Sequence, residues 1–208
     1  MLGHKLVCAA GLCVIAWSGA WGQSPMLERP PSRAPGDAFT YNWSGEMATW
    51  TYVGKSGGYD CFEVATSTQH GTLCRDAEDN AVSVSGWRSL GLRVSIHLSF
   101  PLYVGKAWEY SYATKPAEEA GTVGHRLGGN HTQKLKVTAY ERMTVPAGSF
   151  DAYKIEGLDQ DWGATDVDNL LLYYSPQVGY LKRRIWYTTH GSEFGDSSLE
   201  LVAYRPAH

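Results

Sequence analysis

The sequence predicts an all-β protein built on a curved antiparallel sheet or partly open barrel of about eight to ten strands. Three observations carry this. Several stretches alternate apolar and polar residues with a period of two. No stretch shows a convincing helical period. Turns bearing glycine or proline, at Gly54 to Gly58, Val145 to Gly148 and Pro176 to Gly179, separate alternating stretches.

The clearest element is a hairpin, Tyr140 to Gly157. From Leu135 to Val145, residues Leu135, Val137, Ala139, Met143 and Val145 point one way, and Lys136, Thr138, Tyr140, Arg142 and Thr144 the other. Glu141 breaks the apolar side and needs a sheet edge or a cation. Val145-Pro146-Ala147-Gly148 reads as a type I turn, and alternation resumes over Asp151 to Glu156 with Tyr153 and Ile155 on one face.

Three blocks around this hairpin carry a resemblance. PLYVGKAWEYSY (Pro101 to Tyr112), TVPAGSFDAYKIEG (Thr144 to Gly157) and YYSPQVGYLKRR (Tyr173 to Arg184) resemble the conserved blocks of exported bacterial proteins, the domain-of-unknown-function 3108 and TapB-like group. The resemblance covers roughly the C-terminal half, and VPAG-x-F-D-A is its most specific part. It implies an exported β domain akin to the curved sheets of lipoprotein carriers, and it transfers no site residue.

In chain order, His4 and Lys5 precede an apolar run from Leu6 to Ala16 and the small-residue stretch ending Ala20-Trp21-Gly22, so residues 1–22 read as a secretory signal peptide. The run is shorter than the roughly twenty apolar residues of a spanning helix, and no later stretch reaches that length. Cys8 and Cys13 follow Val7 and Leu12, not the small residue that lipidation requires. Removal of the signal leaves Cys61 and Cys74, and in an oxidising compartment these two pair as a disulfide worth about 3 kcal/mol in the chain-entropy account. Residues 23–35, with Pro25, Pro30, Pro31 and Pro35, read as a disordered leader, and 36–208 as a single β domain.

Within that domain, strands are expected near Phe39 to Trp43, Ala48 to Val53, Tyr59 to Thr66, Gly71 to Arg75, Ala81 to Ser85 and Val94 to Phe100. Pro116 to Thr132 reads as a Gly-rich insertion and Leu158 to Asn169 as an acidic loop. Strands follow at Leu170 to Ser175, Tyr180 to Tyr187 and Leu199 to Tyr204. Gly36-Asp37-Ala38-Phe39-Thr40-Tyr41 matches Gly105-Lys106-Ala107-Trp108-Glu109-Tyr110, and Asp60 to Val64 matches Asp151 to Ile155, which reads as an internal duplication with half-repeats 36–100 and 101–208.

The net charge of −3 offers nucleic acid no footing. Gly54-Lys55-Ser56-Gly57-Gly58 carries the letters of a hydrolase nucleophile elbow, but a strand follows where the elbow needs a helix. Asp159, Asp161, Asp166 and Asp168 lack the EF-hand glycine and terminal glutamate, so they read as a solvated turn and not a calcium site. His97, His125, His131 and His190 show no zinc spacing, and Lys182 to Arg184 is a basic run that a strand splits between two faces. No metal or cofactor is expected.

These observations favour a periplasmic or secreted, non-enzymatic binding module for an apolar or amphipathic molecule. Its expected contacts are Trp108, Tyr110, Tyr140, Tyr153 and Trp186, with core packing as the competing role for each. The alternatives are an exported hydrolase using Ser56 or the histidines, and a structural protein that binds its partner along a sheet edge.

Overall fold

The computed structural model describes residues 24–86, 96–114, 129–161, 167–189 and 192–207. Its strands are β1 (Ala38–Trp43), β2 (Glu46–Ser56), β3 (Tyr59–Ala65), β4 (His70–Arg75), β5 (Ala81–Ser85), β6 (Ala107–Thr114), β7 (Gly129–Val145), β8 (Gly148–Asp161), β9 (Val167–Ser175), β10 (Gly179–Thr189) and β11 (Ser192–Arg205). They form one eleven-stranded antiparallel sheet in the order β5-β4-β3-β2-β1-β11-β10-β9-β8-β7-β6. The all-β curved sheet is therefore as expected, with one strand more than the expected range, and it is not closed into a barrel. Two meanders, β1–β5 and β6–β11, meet through the β1–β11 pair and leave β5 and β6 as edges.

Local chemistry explains the hairpins. Gly57 and Gly58 have φ of 59° and 87°, the two positive values that a type I′ two-residue turn between β2 and β3 needs and that glycine adopts without steric cost. Ser56 thus ends a strand that is followed by another strand, and no nucleophile elbow exists there. Cys61 and Cys74 face each other directly across β3 and β4 with 4.1 Å between Cα atoms, and they form the expected disulfide.

Phe39, Tyr41, Trp43, Trp50, Phe62, Leu73, Ile155, Leu172, Leu199 and Leu201 are among the buried residues that fill the concave face. The segment following residue 95 fills it further: Ile96, Leu98 and Leu102 are at most 1% exposed. Alternation over Val94 to Phe100 predicts a strand, and the structure corrects this for 96–100, which is no strand. Buried amides take the place of the ladder. Leu98 N–H donates to Asn80 Oδ1 at 2.6 Å, Asn80 Nδ2 donates to the Leu98 carbonyl at 3.0 Å, and His97 N–H donates to Gln133 Oε1 at 2.9 Å. Phe100 N–H donates to Glu78 Oε1 at 3.1 Å. Side-chain bonds satisfy backbone groups that would otherwise be buried unpaired.

The Pro-rich stretch is a second correction. From Ser24 onward it is packed on the sheet: Leu27 pairs with Leu102 in an isolated bridge, Tyr153 Oη donates to the Pro25 carbonyl at 2.6 Å, and Arg33 is buried. Extended backbone is what prolines favour, and here that backbone is used to line the fold. The signal-peptide reading lies outside the described residues.

The acidic loop is shorter than expected, because β8 continues to Asp161 and β9 starts at Val167. His131 and Thr132 belong to β7 and not to a Gly-rich insertion. In β7 a bulge at Thr138 reverses the alternation, so Tyr140, expected on the polar face, pairs with the buried Tyr153. Glu141 resolves without a core position, being exposed opposite Ala152.

The two meanders share several details. Gly36 N–H donates to the Tyr52 carbonyl and Tyr52 N–H to the Asp37 carbonyl; Gly105 N–H donates to the Val137 carbonyl and Val137 N–H to the Lys106 carbonyl. Directly after Tyr52 and after Val137 an extra residue, Val53 or Thr138, bulges out against β3 or β8. A second bulge falls at Val82 in β5 against β4 and at Leu181 in β10 against β9. The preceding turns also agree, with Glu78 N–H donating to Asp76 Oδ1 and Gln177 N–H to Ser175 Oγ. By this register Phe62 matches Ile155, two residues away from the sequence match with Tyr153.

Candidate functional site

Two buried carboxylates organise the polar chemistry of the concave face. Asp79 sits in the β4–β5 turn with φ of 64°, a left-handed conformation that aspartate tolerates better than most residues. Its side chain is fully buried, and Oδ2 accepts from Arg33 Nη2 and from Tyr174 Oη, each at 2.8 Å. Oδ1 lies 3.6 Å from Arg75 Nη1, in ion-pair range but without a hydrogen bond. Arg75 instead donates to the Asp79 carbonyl at 2.7 Å and stacks over Tyr180 and Trp50 at 4.3 and 5.2 Å. Burial alone would raise the Asp79 pKa, but Arg33 and then Arg75 outweigh it and hold the carboxyl below its ordinary range. The space between Arg33, Tyr41, Trp50, Arg75, Val178 and Tyr180 is about 10 Å³, room for one water. This centre locks the leader, the β4–β5 turn and the β9–β10 hairpin together.

Asp159 is the second buried carboxylate. Its Oδ2 accepts from Tyr112 Oη at 2.5 Å and from Gln133 Nε2 at 3.1 Å, and its Oδ1 lies 3.3 Å from His131 Nδ1. Burial, and then the bond to Asp159, raise the Tyr112 pKa, so the phenol stays protonated. Rings continue outward from this cluster: His131 stacks with Tyr112 at 5.0 Å, Tyr112 with Tyr110 at 5.8 Å, and Tyr110 with His97 at 3.4 Å. Burial lowers the His97 pKa. The sequence separates Asp159 from His131 and gives no sign of their meeting; the β7–β8 register brings them together. Among the described residues no group of three or more histidine, cysteine or acidic side chains is placed to hold a metal ion.

The five aromatic residues expected to touch a ligand are divided by the fold. Trp108 and Tyr110 lie on β6, where Trp108 Nε1 donates to the His97 carbonyl. Tyr153 is fully buried beneath Tyr140, with ring centroids 4.7 Å apart, at the opposite end of β7 and β8. Trp186 sits beneath Arg184 on β10, opposite in register to Asn169. On the basic run, Arg183 is buried and stacks over Trp43, while Lys182 pairs with Glu200 and Arg184 with Glu193. Burial pushes the Arg183 guanidinium down to about 10. Ala107, Glu109, Lys134, Lys136, Glu156 and Leu158 line an open groove of about 600 Å³ over β6–β8.

No protein-family model and no curated protein matches the chain, so the resemblance to the domain-of-unknown-function 3108 group rests on its three sequence blocks alone. Among solved structures, the chain is similar to a candidate exported protein with a YmcC-like fold from Bacteroides fragilis, at 11% identity and a TM-score of 0.40, covering 87% of this chain and 100% of that one. It is also similar to a candidate lipoprotein from Parabacteroides distasonis, at 11% identity and a TM-score of 0.41, covering 88% of this chain and 100% of that one.

Proposed function

We propose that this chain is an exported, non-enzymatic module of the bacterial envelope that binds its partner on the outside of its sheet. Export rests on the signal-like start, the Cys61–Cys74 bridge and the resemblance to the domain-of-unknown-function 3108 group. The observation that carries surface binding is the filled concave face. Ile96, Leu98 and Leu102 occupy the space where a carrier of this shape would hold an apolar molecule, and they are essentially fully buried there. Tyr153, one of the five aromatic contacts expected for such a ligand, has no exposed surface to offer it.

The test is mass spectrometry of the protein secreted through its own leader, first native and then denatured. The expected native spectrum shows either the bare chain or a stoichiometric protein complex, and the denatured mass fits cleavage after Gly22 with both cysteines oxidised. A small-molecule mass that survives in the native state and is released on denaturation would overturn surface binding. Free thiols at Cys61 and Cys74 would overturn the exported assignment.

A further inference from the structure

The outer edge of β6 has a counterpart in this same molecule that is already occupied. The closing hydrogen bonds at Gly36 and Gly105, the bulges at Val53 and Thr138, and those at Val82 and Leu181 place β1–β5 and β6–β10 in register with one another. In that register β6 corresponds to β1, with Trp108, Tyr110 and Tyr112 in the positions of Phe39, Tyr41 and Trp43. The edge of β1 turned away from β2 is covered by β11: Tyr204 faces Phe39, Leu201 faces Tyr41 and Leu199 faces Trp43. The same edge of β6, turned away from β7, pairs with no strand among the described residues, and no backbone group of Ala107–Thr114 bonds there outside β7.

The two edge strands differ in how they are protected. β5 has five residues and carries a bulge, two of the devices that blunt an edge. β6 runs for eight residues in unbroken register with β7, contains no proline, lysine or arginine, and carries one charge, Glu109, which pairs with Lys134 of β7. A long, regular, aromatic strand without such residues is a template for pairing. The 96–100 segment passes on its inner side, with His97 stacked on Tyr110 and its carbonyl bonded to Trp108 Nε1, yet it makes no backbone bond to β6 among the described residues.

We infer that the two halves are copies of one unit, and that the free edge of β6 accepts an extended strand from a partner protein in the way the equivalent edge of β1 accepts β11. This rests on the surface-binding reading above and names the site within it. The occupant follows from the internal counterpart: an antiparallel segment whose apolar side chains sit at the spacing of Leu199, Leu201 and Tyr204. Main-chain hydrogen bonds supply most of the affinity, and contacts to Tyr110 and Tyr112 select the side chains.

The probe is a capped synthetic peptide of β11's own sequence, Leu199 to Arg205, added at millimolar concentration while amide hydrogen exchange of the full chain is followed residue by residue. The expected result is rapid exchange at the outward amides of β6 in the free protein and at least tenfold slowing with peptide, with β5 unchanged. Replacing Ala203 of the peptide, which pairs with Thr40 in the internal counterpart, by proline removes the slowing, and Tyr110→Lys in the protein lowers affinity about tenfold. Outward β6 amides already protected in the free protein would mean that the chain closes this edge itself, and the inference falls. It falls equally if the peptide protects another strand or none. A stoichiometric envelope partner whose binding leaves β6 exchange unaltered removes the edge assignment but leaves surface binding intact, whereas a retained small molecule removes both.

Discussion

Replacing Asp79 by asparagine keeps the shape of the β4–β5 turn and removes one charge. What remains are the Arg33 and Arg75 guanidiniums, with 8% and 6% of their side chains exposed, facing each other without the carboxylate. Removing one member of a buried ion pair costs about 3–5 kcal/mol, because the surviving charge is left desolvated and unpaired. For a domain of this size each kcal/mol shifts the melting temperature by about 2–4 °C, so the variant should melt roughly 6–20 °C lower. Urea unfolding at neutral pH, followed by circular dichroism, measures the difference directly. Its pH dependence has a definite sign. The folded Asp79 carboxyl titrates below its unfolded value, so its contribution is complete above about pH 4 and disappears as pH falls through the lower folded pKa. The asparagine variant lacks that term, so the two stability curves converge in acid. A loss under about 1 kcal/mol at neutral pH, the scale of an exposed pair such as Lys55–Asp60, would refute the assignment of Asp79 as the charge that locks the centre.

Asn80→Ala removes both bonds to the Leu98 backbone, and with each orphaned buried group costing about 1–3 kcal/mol, the variant should lose roughly 2–6 kcal/mol and expose the 96–100 segment to limited proteolysis. Gly157→Ala places a Cβ 2.2 Å from the Lys134 carbonyl oxygen and 3.0 Å from the Leu135 Cα, so overpacking of about 1–3 kcal/mol should appear as a lower urea midpoint; an unchanged midpoint would contradict the close approach of β7 and β8. Reducing the Cys61–Cys74 bridge, or replacing both residues by serine, should cost about 3 kcal/mol through the thirteen-residue separation, read by thermal melting with and without dithiothreitol.

Period-two alternation determined the fold class, because a strand's two faces are written directly into neighbouring residues. The hairpin around Pro146 and the disulfide across β3 and β4 were legible for the same local reason. Where a single inserted residue flips the faces, as at Thr138, the pattern misleads, and Tyr140 moves from the polar side to a place beside Tyr153. Alternation also cannot distinguish a laddered strand from an extended segment lying on the sheet: Ile96 and Leu98 are buried as expected, but side chains of Asn80 and Gln133 hold that backbone. Only the tertiary structure decided where the distant charges meet. Arg33 is 46 residues from Asp79, and Asp159 reaches His131 and Tyr112 through pairings across three strands. Such contacts depend on register and curvature, quantities that belong to the whole sheet and that no short stretch of sequence contains. The order of strands is of the same kind. Nothing local says that β11 seats itself beside β1, and that one pairing leaves β6 at the end of the sheet among the described residues.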